Sequence, residues 1–270
     1  MRLEKAYYWP EWLIKSLSND YQNNDNKFNK AQLALWQSLN IYDDIIDNDK
    51  QAPDLMLANH NFREFLELLY SSNLPSFFIK LANKSINDWE KINQLEQRIK
   101  KLKIKNNELS ILNKLPPNYH LSSLSKKSLP LAILPIAQAI KLELINSPEE
   151  IKTAFNVFKY ALSAKQLSDD ASDWLTDLKN GLINPVNLLV LKAAKSRKIK
   201  ISFKSNPEIV YLLFSEAAGT QTAKNIINLC KRAKKEALKI KIAENAPFIK
   251  NLVQPLILAA EKSLKFKKML

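Results

Sequence analysis

The residues of this chain best suited to chemistry are aspartates in two short runs. The first, YDDIID, supplies Asp43, Asp44 and Asp47; the second, SDDASD, supplies Asp169, Asp170 and Asp173. Both read Asp-Asp-x-x-Asp, and in a helix the pair at i and i+4 projects two carboxylates onto one face, within reach of a shared cation. Hard divalent ions take oxygen ligands, and Mg2+ commonly combines a few carboxylates with phosphate oxygens and water. Without compensation such acids are costly to desolvate, and each raises the pKa of its neighbours. One run of this kind is ordinarily a solvated acidic turn. Two runs in a chain of formal charge +14 point instead to a metal site holding a diphosphate.

The elements that must position these acids are helices. Leu35, Leu39, Tyr42 and Ile46 recur at helical spacing, and Asp43 and Asp47 each follow a member of that stripe. A second stripe runs Phe155, Phe158, Leu162, Gln166, Asp169, Asp173, Asp177, with Asp170 one step round, so apolar residues hand over to an amide and then to acids. Ser147 is the expected N-cap of this helix, Pro148 its first residue, Glu149 and Glu150 its first-turn acids, and Asn180–Gly181 its end. Helical patterning extends over about 28–49, 58–72, 75–108, 128–146, 148–180, 185–196, 207–241 and 246–267, which predicts an all-α protein forming a single domain over 1–270. Within it, EKINQLEQRIKKLKIKNNE reads as one long amphipathic helix. KIKISF alternates like a short strand, but a connector is the preferred reading.

Composition narrows the function. Only Gly181 and Gly219 are glycine, which argues against phosphate-cradling Gly-rich loops, Rossmann turns and multi-hairpin β folds. The positive charge is nearly all lysine, whereas base and phosphate readers enrich arginine for its fork; a bias toward AT-rich codons explains the lysines equally well, and no nucleic-acid partner is expected. The lone Cys230 precludes an internal disulfide and fits a reducing compartment. MRLEKAYYWPEW lacks the apolar core of a signal peptide, and LPLAILPIAQAI is too short to span a bilayer, so a cytoplasmic protein is expected. The basic end EKSLKFKKML is read as a solvated helix end, with peripheral membrane contact as the alternative.

In the order of its motifs, the chain resembles the class I isoprenoid synthase superfamily, and most of all its trans-polyprenyl diphosphate synthase branch. YDDIIDND resembles the first aspartate-rich motif of that family, and QLSDDASDW the second, including Gln166 one turn before the acids. DLKNGLINPVNLL resembles the segment that follows, with Asp177 and Lys179 before a short loop. KKSLPLAILPIAQAI resembles the helix that opens with a Lys-Thr pair, here Lys127 and Ser128. The likeness covers about positions 35 to 195. It departs from the family in two places: no Gly-Lys-x-Arg segment precedes the first motif, and DKQAPD replaces the Arg-Arg pair after it, with Lys50 or Arg63 as the nearest stand-ins. DWLTDLKNG also resembles the Asp-x-x-x-Asp stretch of squalene and phytoene synthases.

The resemblance implies one large helical bundle around a central cavity, in which Asp43, Asp44, Asp47, Asp169, Asp170 and Asp173 bind several Mg2+ ions, about three, around an allylic prenyl diphosphate. Gln166 would bond the acids or a phosphate. Lys127 is the first candidate for phosphate contact, followed by Lys179, Lys165 and Arg63; exposed lysines on helices are the bland alternative. The carbocation would need an apolar, aromatic pocket, for which Tyr42, Phe155, Phe158 and Trp174 are available, although aromatics on helical stripes are ordinarily core. Ser38 and Leu39 carry no bulky aromatic, which in the family suggests room for longer chains. His60 and His120 are expected to be ordinary surface or loop residues. Three functions follow: prenyl transfer to isopentenyl diphosphate, a head-to-head or cyclising synthase using allylic substrate alone, or a non-catalytic helical partner of a synthase. A homodimer is what the family implies.

Overall fold

The computed structural model describes residues 3–18, 26–47, 54–98, 102–110, 115 and 121–267. The protein is all-α with one small sheet: α1 (Leu3–Tyr7), α2 (Trp9–Leu17), α3 (Lys27–Asp47), α4 (Leu55–Ser71), α5 (Ser76–Arg98), β1 (Lys103–Lys105), β2 (Glu108–Ser110), α6 (Ile133–Lys141), α7 (Pro148–Lys179), α8 (Pro185–Ser196), β3 (Ile201–Ser202), α9 (Pro207–Leu213), α10 (Thr220–Lys239) and α11 (Gln254–Lys267). Among the described residues no helix is long and apolar enough to cross a membrane. The chain divides into two compact units. Unit one holds 1–97, 126–159 and 232–253; unit two holds 98–125, 160–231 and 254–270.

Unit one is built on an α3–α4 hairpin and on α2 packed against α6. Neither α1 nor α2 has a counterpart in the helical patterning above. Trp9 and Pro10 open α2, where proline's missing N–H is no loss, and Trp9, Leu13 and Ile14 are fully or almost fully buried. Trp9 packs on Phe158 of α7 with ring centroids 6.3 Å apart, and Phe158 meets Phe248 edge-on at 4.8 Å. Polar groups stitch the same core. The Gln32 side chain donates to the Leu131 carbonyl at 3.0 Å, and the Phe248 N–H donates to Ser16 Oγ at 2.9 Å. The segment expected as a helix over 128–146 is a 3-10 turn, Leu129–Ala132, followed by the shorter α6. Pro130 and Pro135 each fall in a first turn, where no intrahelical N–H bond is lost.

Unit two contains the sheet, and here the structure corrects two expectations. The long helix over 75–108 ends at Arg98, and the chain then forms the β1–β2 hairpin, with Lys103 opposite Ser110. Asn106 and Asn107 both take positive φ, 52° and 61°, as a two-residue hairpin turn demands, and asparagine tolerates that conformation better than other non-glycine residues. KIKISF contains a true strand: Ile201 pairs with Leu109, and both are buried. Each strand is too short for a periodicity signal, so pairing with a distant partner decided the outcome.

The start of α7 matches the expected cap. The Glu150 N–H donates to Ser147 Oγ at 3.2 Å, while Glu150 Oε2 accepts from the Asn146 and Ser147 N–H groups at 3.0 Å each. Those backbone bonds hold the Glu150 carboxyl below its usual pKa. At the other end, Leu182 N–H reaches the Asp177 carbonyl and Gly181 N–H the Leu178 carbonyl, the paired bonds of a Schellman turn. Gly181 sits at φ 74°, and a Cβ there would lie 2.5 Å from the Leu102 carbonyl oxygen.

Candidate functional site

The first acidic run occupies the last turns of α3, in unit one. Leu35 and Leu39 of its stripe are buried, as the spacing predicts, and Tyr42 and Asp43 are half-buried. Carboxylates at a helix C-terminus face the negative end of the macrodipole, which disfavours them by about 0.3–1 kcal/mol each. No basic residue of α3 itself lies in that turn. The compensation comes from far along the chain: Lys127 Nζ lies 3.0 Å from Asp43 Oδ1, with the lysine 22% and the aspartate 46% exposed. Asp44 is half-buried beside it. Asp47 closes α3, and its side chain lies outside the described residues.

The surroundings of the first run are aromatic. Tyr42 packs against Trp89 and Phe62, with centroids 5.6 and 6.3 Å away, and its hydroxyl donates to Asn59 Oδ1 at 2.6 Å. Burial pushes the phenol above its ordinary pKa despite the opposing effect of Ser38, so Tyr42 stays protonated at neutral pH. Ser38 is fully buried, and its Oγ donates to the Ala58 carbonyl at 2.9 Å, tying α3 to α4.

The second run lies on α7 in unit two. The spacing puts Asp169 on the inward stripe and Asp170 beside it; the structure exchanges them. Asp170 is buried at 7% exposure, on a stripe with Leu167, Trp174 and Leu178, while Asp169 and Asp173 are exposed. Over the first half of α7 the buried line runs Ile151, Ala154, Phe158 and Ala161, and it has stepped round by the time it reaches Leu167. A straight 3.6-residue period read through the whole helix misses that step. Gln166 Nε2 donates to Asp170 Oδ1 at 2.9 Å. Lys165, one turn before Asp169, is ion-paired with it. Asp177 Oδ2 accepts from Asn184 Nδ2 at 2.8 Å, and Asn184 Oδ1 caps α8 through the Asn187 N–H at 2.7 Å. Asp177 therefore secures the α7–α8 turn.

From sequence, a shared metal is the expected compensation for these acids. Without metal, Asp43 and Asp169 have lysine partners and Asp170 has an amide. Lys127 and Lys165, both candidate phosphate ligands, are those partners. Their pairing was not expected, although the i,i+4 spacing of Lys165 and Asp169 is a signal that could have shown it. Lys179 is exposed in the last turn of α7, where it complements the helix dipole, and Arg63 is exposed on α4. His60 is a surface residue 3.2 Å from Glu64. Lys50 and His120 lie outside the described residues.

The four candidate aromatics occupy separate clusters. Phe158 is fully buried between Trp9 and Phe248, Phe155 packs on Phe78 at 5.9 Å, Tyr42 sits with Trp89, and Trp174 stacks on Phe214 at 4.2 Å.

Among the described residues no three His, Cys, Asp or Glu side chains converge on one point. The available donors are carboxylate oxygens with i,i+4 spacing, a set that suits a hard cation. Mg2+ matches it, because this ion is characteristically held by one or two carboxylates and completes its shell with phosphate oxygens and water. No protein-family model matches the chain, and no curated protein matches its sequence significantly.

Proposed function

We propose that the protein is a Mg2+-dependent isoprenoid synthase of the helical-bundle type, with a central cavity, that ionises an allylic prenyl diphosphate and transfers the prenyl group to isopentenyl diphosphate. The supporting observation is the placement of the acids. Asp43 and Asp44 sit at the C-terminal end of α3, where the helix dipole opposes them, and Asp170 is a carboxylate at 7% exposure. Both positions carry a cost, from the helix dipole or from burial, that a function would explain. The order of the four motif-like segments supplies the rest of the argument.

In this reading Asp43, Asp44, Asp47, Asp169, Asp170 and Asp173 hold the metal. Mg2+, when bound, neutralises the diphosphate and makes it a better leaving group. Lys127 and Lys165 exchange their aspartate partners for phosphate oxygens, contributing positive charge where negative charge develops. Gln166 orients Asp170 through its amide hydrogen bond. The protonated Tyr42 offers an aromatic face without a basic oxygen that would capture a carbocation. The missing acceptor motif favours, as a second reading, a head-to-head or cyclising synthase that uses allylic substrate alone.

The test is pyrophosphate release with product mass analysis, using farnesyl and geranylgeranyl diphosphates with and without isopentenyl diphosphate, in Mg2+ or EDTA. Mg2+-dependent release that requires isopentenyl diphosphate and adds five-carbon units supports prenyl transfer. Release without it supports the second reading. No release from folded protein that still binds Mg2+ overturns both and leaves a non-catalytic, prenyl-diphosphate-binding partner of a synthase.

A further inference from the structure

Unit two contains a cavity of about 370 Å3 whose chemistry differs from that of the acidic run. Ser168, Ala171 and Ser172 of α7 form one wall, and at 100° per residue their mean direction is roughly 150° from that of Asp169, Asp170 and Asp173. A second wall is Trp174 stacked on Phe214, with ring planes 9° apart. Phe214 opens a π-helical turn, Phe214–Gly219, of a kind that recurs at functional sites. Its ring lies 3.5 Å from where a Cβ on Gly219 would stand, an ordinary van der Waals distance.

The floor carries the decisive groups. Thr222, at 2% exposure, lines the cavity, and its Oγ1 is buried with no hydrogen-bond partner among the described residues. Thr220 Oγ1, also in the lining, is in the same condition. A buried hydroxyl left unbonded is destabilising, and two within one cavity mark the place where a ligand's polar atom would be received. Among the described residues no lining side chain is charged, in a protein a quarter of whose residues are. The volume lies at the lower end of the range for small-molecule pockets, about 300–1,000 Å3.

We infer that this cavity binds a small neutral molecule with an apolar, preferably flat body and one hydroxyl or carbonyl group, the body against Trp174 and Phe214 and the polar atom on Thr222 and Thr220. A phosphate ester would find no charged partner among the described lining residues. The site adjoins the second acidic run, since Trp174 shares a helical stripe with Asp170, but it receives its ligand on other groups, Thr222 and Thr220.

The test is calorimetric titration of the full chain with 2-naphthol, naphthalene and 2-naphthyl phosphate, each at up to about 1 mM. Wild-type protein binds 2-naphthol roughly three- to tenfold more tightly than naphthalene, the range expected for one hydrogen bond. Thr222→Val keeps the shape, removes the hydroxyl and abolishes that preference. Ser172→Phe, on the exposed rim, fills the mouth and abolishes binding without entering the core. Failure of 2-naphthol to bind wild-type protein overturns the inference, as does equal binding by folded Ser172→Phe. Tighter binding of the phosphate ester overturns the neutral-ligand assignment, and a concentration-dependent dimer that Ser172→Phe disperses would make the cavity an interface between copies.

Discussion

Lys127 and Asp43 stand 84 positions apart in sequence and meet at 3.0 Å, a lysine from a 3-10 turn reaching the acid at the end of α3. The pair joins the two segments of unit one that the motif reading assigns to the diphosphate site. Asp43 is close to half exposed, so a double-mutant cycle with alanine at both positions is expected to give a coupling below about 1 kcal/mol in denaturant unfolding. Activity should behave differently. Lys127→Ala is expected to lower pyrophosphate release by about 100-fold or more, because a cation aimed at a developing diphosphate charge counts far more than an exposed ion pair.

The acids of α7 should reveal themselves through linkage. Mg2+ with inorganic pyrophosphate is expected to raise the melting temperature of the wild-type protein, by an amount equivalent to about 2.7 kcal/mol when ligand is at 100 times its Kd. The combined replacement Asp169→Ala and Asp173→Ala removes two exposed carboxylates and should leave the metal-free melting temperature nearly unchanged. The increment due to Mg2+ should vanish. Differential scanning calorimetry measures both quantities, and an undiminished increment would remove these residues from the metal site.

Gly181→Ala is expected to destabilise the protein by several kcal/mol, seen as a lower denaturant midpoint. Two effects combine: the left-handed φ of 74°, and a Cβ only 2.5 Å from the Leu102 carbonyl oxygen. That neighbour is backbone, so the strain cannot be relieved by rotating a side chain.

The cap of α7 predicts a pH dependence. Glu150 has a lower pKa folded than unfolded, since the Asn146 and Ser147 N–H groups favour its charged form. Its contribution is therefore complete above the unfolded carboxylate pKa and is lost as pH falls through the folded value. Ser147→Ala, which removes the reciprocal half of the cap, is expected to cost about 1 kcal/mol at neutral pH. Glu150→Ala should destabilise at neutral pH and progressively less in acid, a difference that urea unfolding at a series of pH values resolves.

Local signals carried much of this protein. Ser147, Pro148 and Glu150 announced the start of α7 and Gly181 its end, because caps depend on residues a few positions apart. Pro185 likewise opened α8 where the pattern placed it. The helical class followed from periodicity and scarce glycine, and the two acidic runs were legible as chemistry from residue type and spacing alone. Tertiary structure decided what depends on distant partners. Leu109 and Ile201 became strand residues because they pair with each other across some 90 positions. Asp170 and not Asp169 became the buried acid, because the face that α7 buries follows its changing neighbours rather than an ideal period. Lys127 found Asp43, and the threonines at 220 and 222 were left facing a cavity, through packing that no spacing rule encodes. Sequence determines which groups a segment carries; the fold decides which of them are desolvated together, and desolvation is what turns a carboxylate or a hydroxyl into a site.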